Sequence, residues 1–191
     1  MASHTRRFSA LLVLALLLCL PVASFAVDAV LTDDTFINSG SPSATNGANA
    51  SLKINSTSTT FLKFDPSATL PPGTTGSDIT KATLVLWVNT FTTGGTIDVR
   101  QVTGPWAEAT LNFTTGSGLI GSSVAVSPSI TSKGDFVAID LTDLVQDWID
   151  GIVANNGVAL QPAGGLNIVI NSKENTGAAH EARLEIALAG T

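Results

Sequence analysis

Few residues of this sequence are of the types that most enzymes use for catalysis. Beyond residue 26 the chain has one histidine, His180, in the loop 175–181, and no cysteine. Hydrolases need two convergent carboxylates, or a nucleophile with its base. No Gly-x-Ser-x-Gly nucleophile elbow accompanies His180, and no spacing groups the 15 acidic residues. We therefore expect that the protein is not an enzyme and that His180 is an exposed loop residue. A glycosidase with two carboxylates is an alternative that residue counts leave open.

Metal-binding residues are also sparse. Zinc sites need clusters of Cys and His, which the sequence lacks. Calcium needs several oxygen ligands, and the best sources are Asp33 and Asp34 with Asn38, or the pair Asp140 and Asp143. No spacing fits a twelve-residue calcium loop. The sequence predicts no metal site and no cofactor, and a structural calcium ion held by Asp34 and loop carbonyls stays open as an alternative.

Carbohydrate binding usually combines an aromatic ring with a few polar side chains. The chain has three tryptophans and no tyrosine. Trp148 lies on an apolar helical face and Trp106 in a turn, so we expect both to pack in the core or at a hinge. Trp87 alternates with Leu86 and Val88, so it points to the opposite face of its strand.

The segment Ser51 to Phe64 predicts a hairpin that would make a further carbohydrate-binding surface. Period-two alternation would place Phe61 between Lys53 and Lys63 on one face. Ordinary solvated lysines on an outer strand face are the alternative interpretation. The candidate carbohydrate-binding residues are Lys53, Phe61, Lys63, Trp87 and Arg100.

The N-terminus has the order of a secretory signal peptide. Arg6 and Arg7 precede an apolar run from Leu11 to Leu20, and Ser24 and Ala26 supply the small residues before a cleavage site. The apolar run is shorter than the roughly 20 residues that span a bilayer. We expect cleavage after Ala26, secretion without a membrane anchor, and one domain over residues 27–191.

The charge of that domain restricts its partners. Loss of Arg6 and Arg7 leaves 7 basic against 15 acidic side chains. Such a surface repels nucleic acid and anionic membranes. A polyanionic sugar would be bound only if Lys53, Lys63, Arg100 and Lys173 gathered on one face.

Short alternating apolar segments separated by Gly, Pro, Ser and Asn predict an all-β fold. Ten candidate strands, from Ala29–Leu31 to Ala182–Leu188, suit a two-sheet β-sandwich. Leu141, Leu144, Val145 and Trp148 follow helical spacing and predict one short helix, started by Asp140 or Thr142 and ended by Gly151.

Several strings occur in order along residues 28–188. They are DTFIN (34–38), FLKFD (61–65), LPPG (70–73), ITKATLVLW (79–87), IDLT (139–142), VQDW (145–148) and SKE (172–174). Together they resemble the DNRLRE-type domain, also described as carbohydrate-binding module family 96. The resemblance implies a jelly-roll-like β-sandwich that serves as an accessory module in secreted or cell-surface proteins, with alginate-like polymers among its ligands.

These observations predict a secreted, non-catalytic module that binds a polysaccharide or a cell-surface glycan. The alternative is a structural or adhesive extracellular protein that has no sugar specificity and assembles through its sheet edges or its helix.

Overall fold

The computed structural model describes residues 25–177 and 180–190, and most of its elements are antiparallel strands. The strands are β1 (Phe25–Asn38), β2 (Ser51–Ile54), β3 (Ser58–Asp65), β4 (Ile79–Thr93), β5 (Thr96–Val102), β6 (Ile120–Val126), β7 (Phe136–Asp140), β8 (Val158–Ala163), β9 (Asn167–Asn171) and β10 (Arg183–Leu188). The helices are α1 (Phe113–Gly116) and α2 (Thr142–Ile149).

The strands follow the order β2-β9-β4-β10-β1-β3-β8-β5-β6 in one continuous sheet, with β7 added to β4. The long strands β1 and β4 change partners midway. Residues 25–29 of β1 pair with β10 and residues 30–38 with β3. The second half of β1 with β3, β8, β5 and β6 forms the layer that we call the first, and the remaining strands face it. The predicted all-β, jelly-roll-like sandwich is confirmed.

The core lies between the two layers. Its fully buried members include Leu62, Leu84, Ile97, Leu160 and Ile186, which come from β3, β4, β5, β8 and β10. Each such side chain contributes about 1.5–3 kcal/mol by burial. The apolar side chains that alternate along these strands thus form the inner faces of the sandwich.

The short helix predicted from the sequence is α2, which packs against the sandwich through one face. Its residues Leu144, Val145 and Trp148 are buried in the main core. Asp140 Oδ1 accepts hydrogen bonds from the Thr142 backbone N–H (3.0 Å) and from its hydroxyl (2.6 Å), which secures the first turn.

The fold differs from the sequence prediction in three places. The two short strands expected before residue 38 are one continuous strand, β1. Strand β6 was not predicted, because Ile120–Val126 is mostly exposed and lacks a regular apolar face. A second helix, the single turn α1, lies where no element was expected.

A covering segment, residues 103–119, buries part of the outer face of the first layer. Within this segment, Trp106 packs edge to face on the Phe61 ring of β3, with ring centroids 5.7 Å apart. Trp106 Nε1 donates to the Asn156 carbonyl at 2.8 Å. This second cluster of six buried residues also contains Ile37, Val102, Leu111 and Ala159. Trp106 and Trp148 are core residues, as expected.

The predicted signal peptide falls outside the described residues except for Phe25 and Ala26, whose backbones pair with Leu188 and Ala187 in β10. Within residues 25–177 and 180–190, no helix combines the length and apolarity that crossing a bilayer requires.

Candidate functional site

The part of the first layer's outer face that the covering segment leaves open forms a cleft of about 940 Å³. Alternation along β5 positions its floor: Ile97 and Val99 point into the core, and Asp98 and Arg100 point outward. Gln161 of β8 lies directly opposite Asp98 in the antiparallel ladder. The strands thus present a row of polar side chains on a rigid surface.

Loops form the walls of this cleft. One wall is the turn between β2 and β3, in which Asn55 Oδ1 accepts hydrogen bonds from the Thr57 backbone (3.1 Å) and hydroxyl (3.0 Å). Phe113, the first residue of α1, lies within the covering segment, packs partly against the second cluster and contributes the aromatic ring of the lining. Asn167, at the start of β9, lines the other side. Amides, hydroxyls and one ring therefore surround the open space.

The cleft contains one ion pair. Arg100 Nε donates to Asp98 Oδ2 at 2.8 Å, and Arg100 Nη1 donates to the Gly121 carbonyl at 3.0 Å. Ser123 Oγ donates to the other carboxylate oxygen of Asp98 at 2.5 Å. Because both charged groups are held by several partners, their orientation is fixed before any ligand arrives.

Arg100 is the predicted carbohydrate-binding residue that lies in this cleft. The prediction that Phe61 forms an exposed ring between Lys53 and Lys63 is wrong, because Phe61 is 0% exposed beneath Trp106. The sequence correctly predicted that Phe61 points to the outer side of β3, but the covering segment 103–119 buries that part of the outer face.

The predicted hairpin does not form beyond one bridge, between Asn55 and Ser58. Strand β2 pairs with β9, whereas β3 pairs with β1 and β8. As a result Lys53 and Lys63 have separate surroundings. Lys53 Nζ lies 5.3 Å from the centre of the Phe36 ring, and Lys63 Nζ lies 3.8 Å from Asp33 Oδ2. They do not form one patch with Phe61.

Trp87 points to the outer side of β4 as expected, but one face of its indole is covered. The His180 ring stacks on it with centroids 4.6 Å apart and 19° between the planes. Phe136 of β7 lies 4.8 Å from Trp87, also between centroids. His180 is half-buried in this stack and not freely exposed. These three rings belong to a surface distinct from the cleft.

An acidic cluster lies where β1 meets the end of β9. One oxygen from each of Asp34, Glu108 and Glu174 lies within 4.8 Å of the others. Lys173 Nζ donates to Glu108 at 2.5 Å and also to Glu174. An ammonium group therefore sits where a cation would balance the three carboxylates. Among the ligands expected for calcium, Asp34 is here, whereas Asn38 Oδ1 accepts from the Gly40 N–H.

Burial and hydrogen bonding give this cluster unusual protonation. Burial raises the pKa of Asp34 from 3.8 to about 7, although the backbone N–H of Lys173 donates a hydrogen bond to its carboxylate at 2.8 Å. Burial alone would raise the pKa of Glu174 as well, but hydrogen bonds from Lys173 and Ser172 outweigh it and lower the pKa from 4.5 to about 2. Asp34 itself is 0% exposed. A polymeric ligand cannot reach Asp34, whereas Glu108 and Glu174 are partly exposed and line a separate pocket of about 620 Å³.

Sequence reasoning missed most of the cleft. The outward positions of Asp98 and Gln161 follow from alternation, but only the ladder register shows that they are neighbours. Phe113 belongs to a single helical turn whose Asn112 side chain caps it by accepting from the Thr115 N–H at 3.1 Å. That Asn-x-x-Thr capping pattern was the one local signal for this wall.

Comparison with known proteins bears on the whole described domain. The sequence profile of carbohydrate-binding module family 96 matches residues 26–187. No curated protein sequence matches the chain.

Proposed function

Because the chain belongs to carbohydrate-binding module family 96, we propose that it is a secreted, non-catalytic module that binds a polysaccharide in the cleft of the first layer. The observation that carries this proposal is the lining of that cleft. Fixed amide and hydroxyl groups accompany the Phe113 ring in an open space of about 940 Å³, which is the size of a typical ligand site.

The chemistry of the lining supports recognition without cleavage. Among the described residues, Asp98 is the one carboxylate that lines the cleft, and both of its oxygens are engaged by Arg100 and Ser123. Glycoside hydrolysis uses a pair of carboxyl groups on opposite sides of the bond that breaks. The cleft offers no second carboxyl group for this pair.

Affinity electrophoresis of the secreted protein in gels that contain different polysaccharides tests the proposal. We expect at least one polymer to retard the protein, and Phe113→Ala and Asn167→Ala each to weaken binding. Loss of one hydrogen bond costs about 1 kcal/mol, or roughly fivefold in Kd. Lys53→Ala is the matched control, because Lys53 is exposed outside the cleft. Unchanged mobility over a broad panel would refute the proposal.

Two further measurements separate this function from its alternatives. N-terminal sequencing of protein collected from the medium checks secretion and the cleavage after Ala26. Incubation with the polymer that binds best, followed by an assay for new reducing ends, checks for hydrolysis. We expect no new ends. Their appearance at a rate proportional to enzyme concentration would contradict the non-catalytic assignment.

One observation favours the structural or adhesive alternative. Strand β6 lies at an edge of the sheet and carries exposed apolar side chains, with Val124 37% and Val126 59% exposed. Edge strands can pair with strands of other molecules. Light scattering over a range of concentrations decides between the two: concentration-dependent oligomers without any effect of sugar would favour assembly, and a monomer would exclude it.

A further inference from the structure

The cleft of the first layer has almost no net charge although the protein is acidic. Among its described lining residues the charged side chains are Asp98 and Arg100, which neutralise each other at 2.8 Å. The other polar groups are the amides of Asn55, Gln161 and Asn167, together with Ser and Thr hydroxyls. Amides and hydroxyls both donate and accept hydrogen bonds, as sugar hydroxyls do.

The Nε side of the Arg100 guanidinium is not available as a clamp for a carboxylate. A bidentate pair needs two parallel N–H groups on one edge of the guanidinium. Here Nε already donates to Asp98 and Nη1 to the Gly121 carbonyl. A uronate placed against the remaining N–H groups would lie near the Asp98 carboxylate and be repelled by it.

The basic side chains of the rest of the described domain do not form another surface that could bind an anionic polymer. Most have a carboxylate partner within 4.0 Å: Lys63, Lys81, Lys173 and Arg183 pair with Asp33, Asp140, Glu108 and Glu185. Within residues 25–177 and 180–190, Lys53 and Lys133 have no such ion pair. They lie on β2 and in the β6–β7 connection, outside the lining of the cleft.

From this distribution of charge we infer that the cleft binds an uncharged polysaccharide and discriminates against polyuronates. The inference rests on the proposed function and adds the class of ligand. Binding is carried by hydrogen bonds from the amides and hydroxyls to sugar hydroxyls, and by contact of one sugar ring with Phe113. The surrounding surface, with 7 basic and 15 acidic side chains after residue 26, opposes the approach of a polyanion.

The test is affinity electrophoresis with pairs of polymers that differ only in charge. Alginate and polygalacturonate are each run beside their carboxyl-reduced, uncharged counterparts, together with neutral glucan, mannan, galactan and xylan. We expect retardation by at least one neutral polymer, reduced by Phe113→Ala and by Asn167→Ala. Its Kd should change by less than about twofold between 20 and 500 mM NaCl, since screening acts on charge and not on neutral ligands.

The Asp98→Asn variant provides a gain-of-function control. It removes the negative charge and leaves Arg100 without its carboxylate, so binding of polyuronates should become detectable and sensitive to salt. A thermal melt confirms that the variant is folded.

The possible outcomes distinguish a failure of this inference from a failure of the proposed function. Retardation by polyuronates alone, weakened by salt, would overturn the inference and leave carbohydrate binding intact. Binding of a neutral polymer that neither Phe113→Ala nor Asn167→Ala weakens would overturn it as well, because the site would lie elsewhere. No binding to any polymer would refute the proposed function itself.

Discussion

Replacing Asp34 by Asn should remove a large part of the protein's pH-dependent loss of stability. In the folded protein burial holds the pKa of Asp34 at about 7, and the ordinary value in an unfolded chain is 3.8. Between these two pH values the unfolded chain has lost the proton that the folded protein keeps. Asp34 therefore lowers the free energy of unfolding as pH rises through this window.

The size of the effect follows from the displacement of the pKa. Each pH unit corresponds to about 1.4 kcal/mol, so a rise from 3.8 to about 7 has an upper limit of about 4 kcal/mol. The neighbouring Glu174 has its lowered pKa of about 2, so its contribution changes below pH 5. Burial also raises the pKa of Glu108, which adds to the loss of stability in the same direction as Asp34. We expect the wild-type protein to lose about 2–4 kcal/mol between pH 4.5 and pH 8.

Urea unfolding at pH 4.5, 5.5, 6.5 and 8 measures this change. Asn resembles the protonated form of Asp34, so the decline over the same range should be much smaller in the variant than in the wild type. Asp140→Asn is the control: hydrogen bonds from Lys81 and Thr142 lower the pKa of Asp140 to about 2, so its carboxyl stays ionised throughout. A flat wild-type profile, or an unchanged slope in Asp34→Asn, would refute the reasoning.

Three further substitutions test side-chain and backbone packing elsewhere in the domain. Phe61→Ala should reduce the free energy of unfolding in urea by about 3–5 kcal/mol, because its fully buried ring leaves a cavity; a loss below 1 kcal/mol would show that the ring is exposed. Gly157→Ala should cost more than about 1 kcal/mol in the same assay, because Gly157 has φ +82° and an added Cβ would lie 2.1 Å from the Leu62 carbonyl oxygen. His180→Ala should increase acrylamide quenching of tryptophan fluorescence by uncovering Trp87, and unchanged quenching would contradict the stack.

The inner face of the sandwich could be predicted from sequence because its signal is local. Buried residues such as Leu62, Leu84 and Ile186 recur at every second position of their strands. The helix α2 was equally visible in the spacing of Leu144, Val145 and Trp148. Both patterns depend only on neighbours within a few residues.

The outer face could not be predicted, because its burial depends on distant parts of the chain. Phe61 and Lys63 alternate as outward residues in β3, but Trp106, more than 40 positions away, covers the former. The cleft likewise depends on which strands become neighbours. Asp98 meets Gln161 through the register of β5 with β8, which alternation alone does not specify.

The same limit applies to the predicted hairpin. Lys53 and Phe61 are close in sequence, and a short turn joins their strands, which favoured direct pairing. The turn instead connects strands with different partners, and β2 completes a ladder with β9, more than 100 residues later. The residues of the turn predicted that the chain reverses direction, but they did not determine which strands β2 and β3 pair with.

The change of partners midway along β1 has a mechanical consequence. One uninterrupted strand is bonded to β10 through residues 25–29 and to β3 through residues 30–38. To separate the two layers of the sandwich, either the backbone hydrogen bonds at one end of this strand must break or the strand must bend sharply. Amide protons on both sides of the junction should therefore exchange together, in a single global opening, and the domain should resist force without a covalent cross-link.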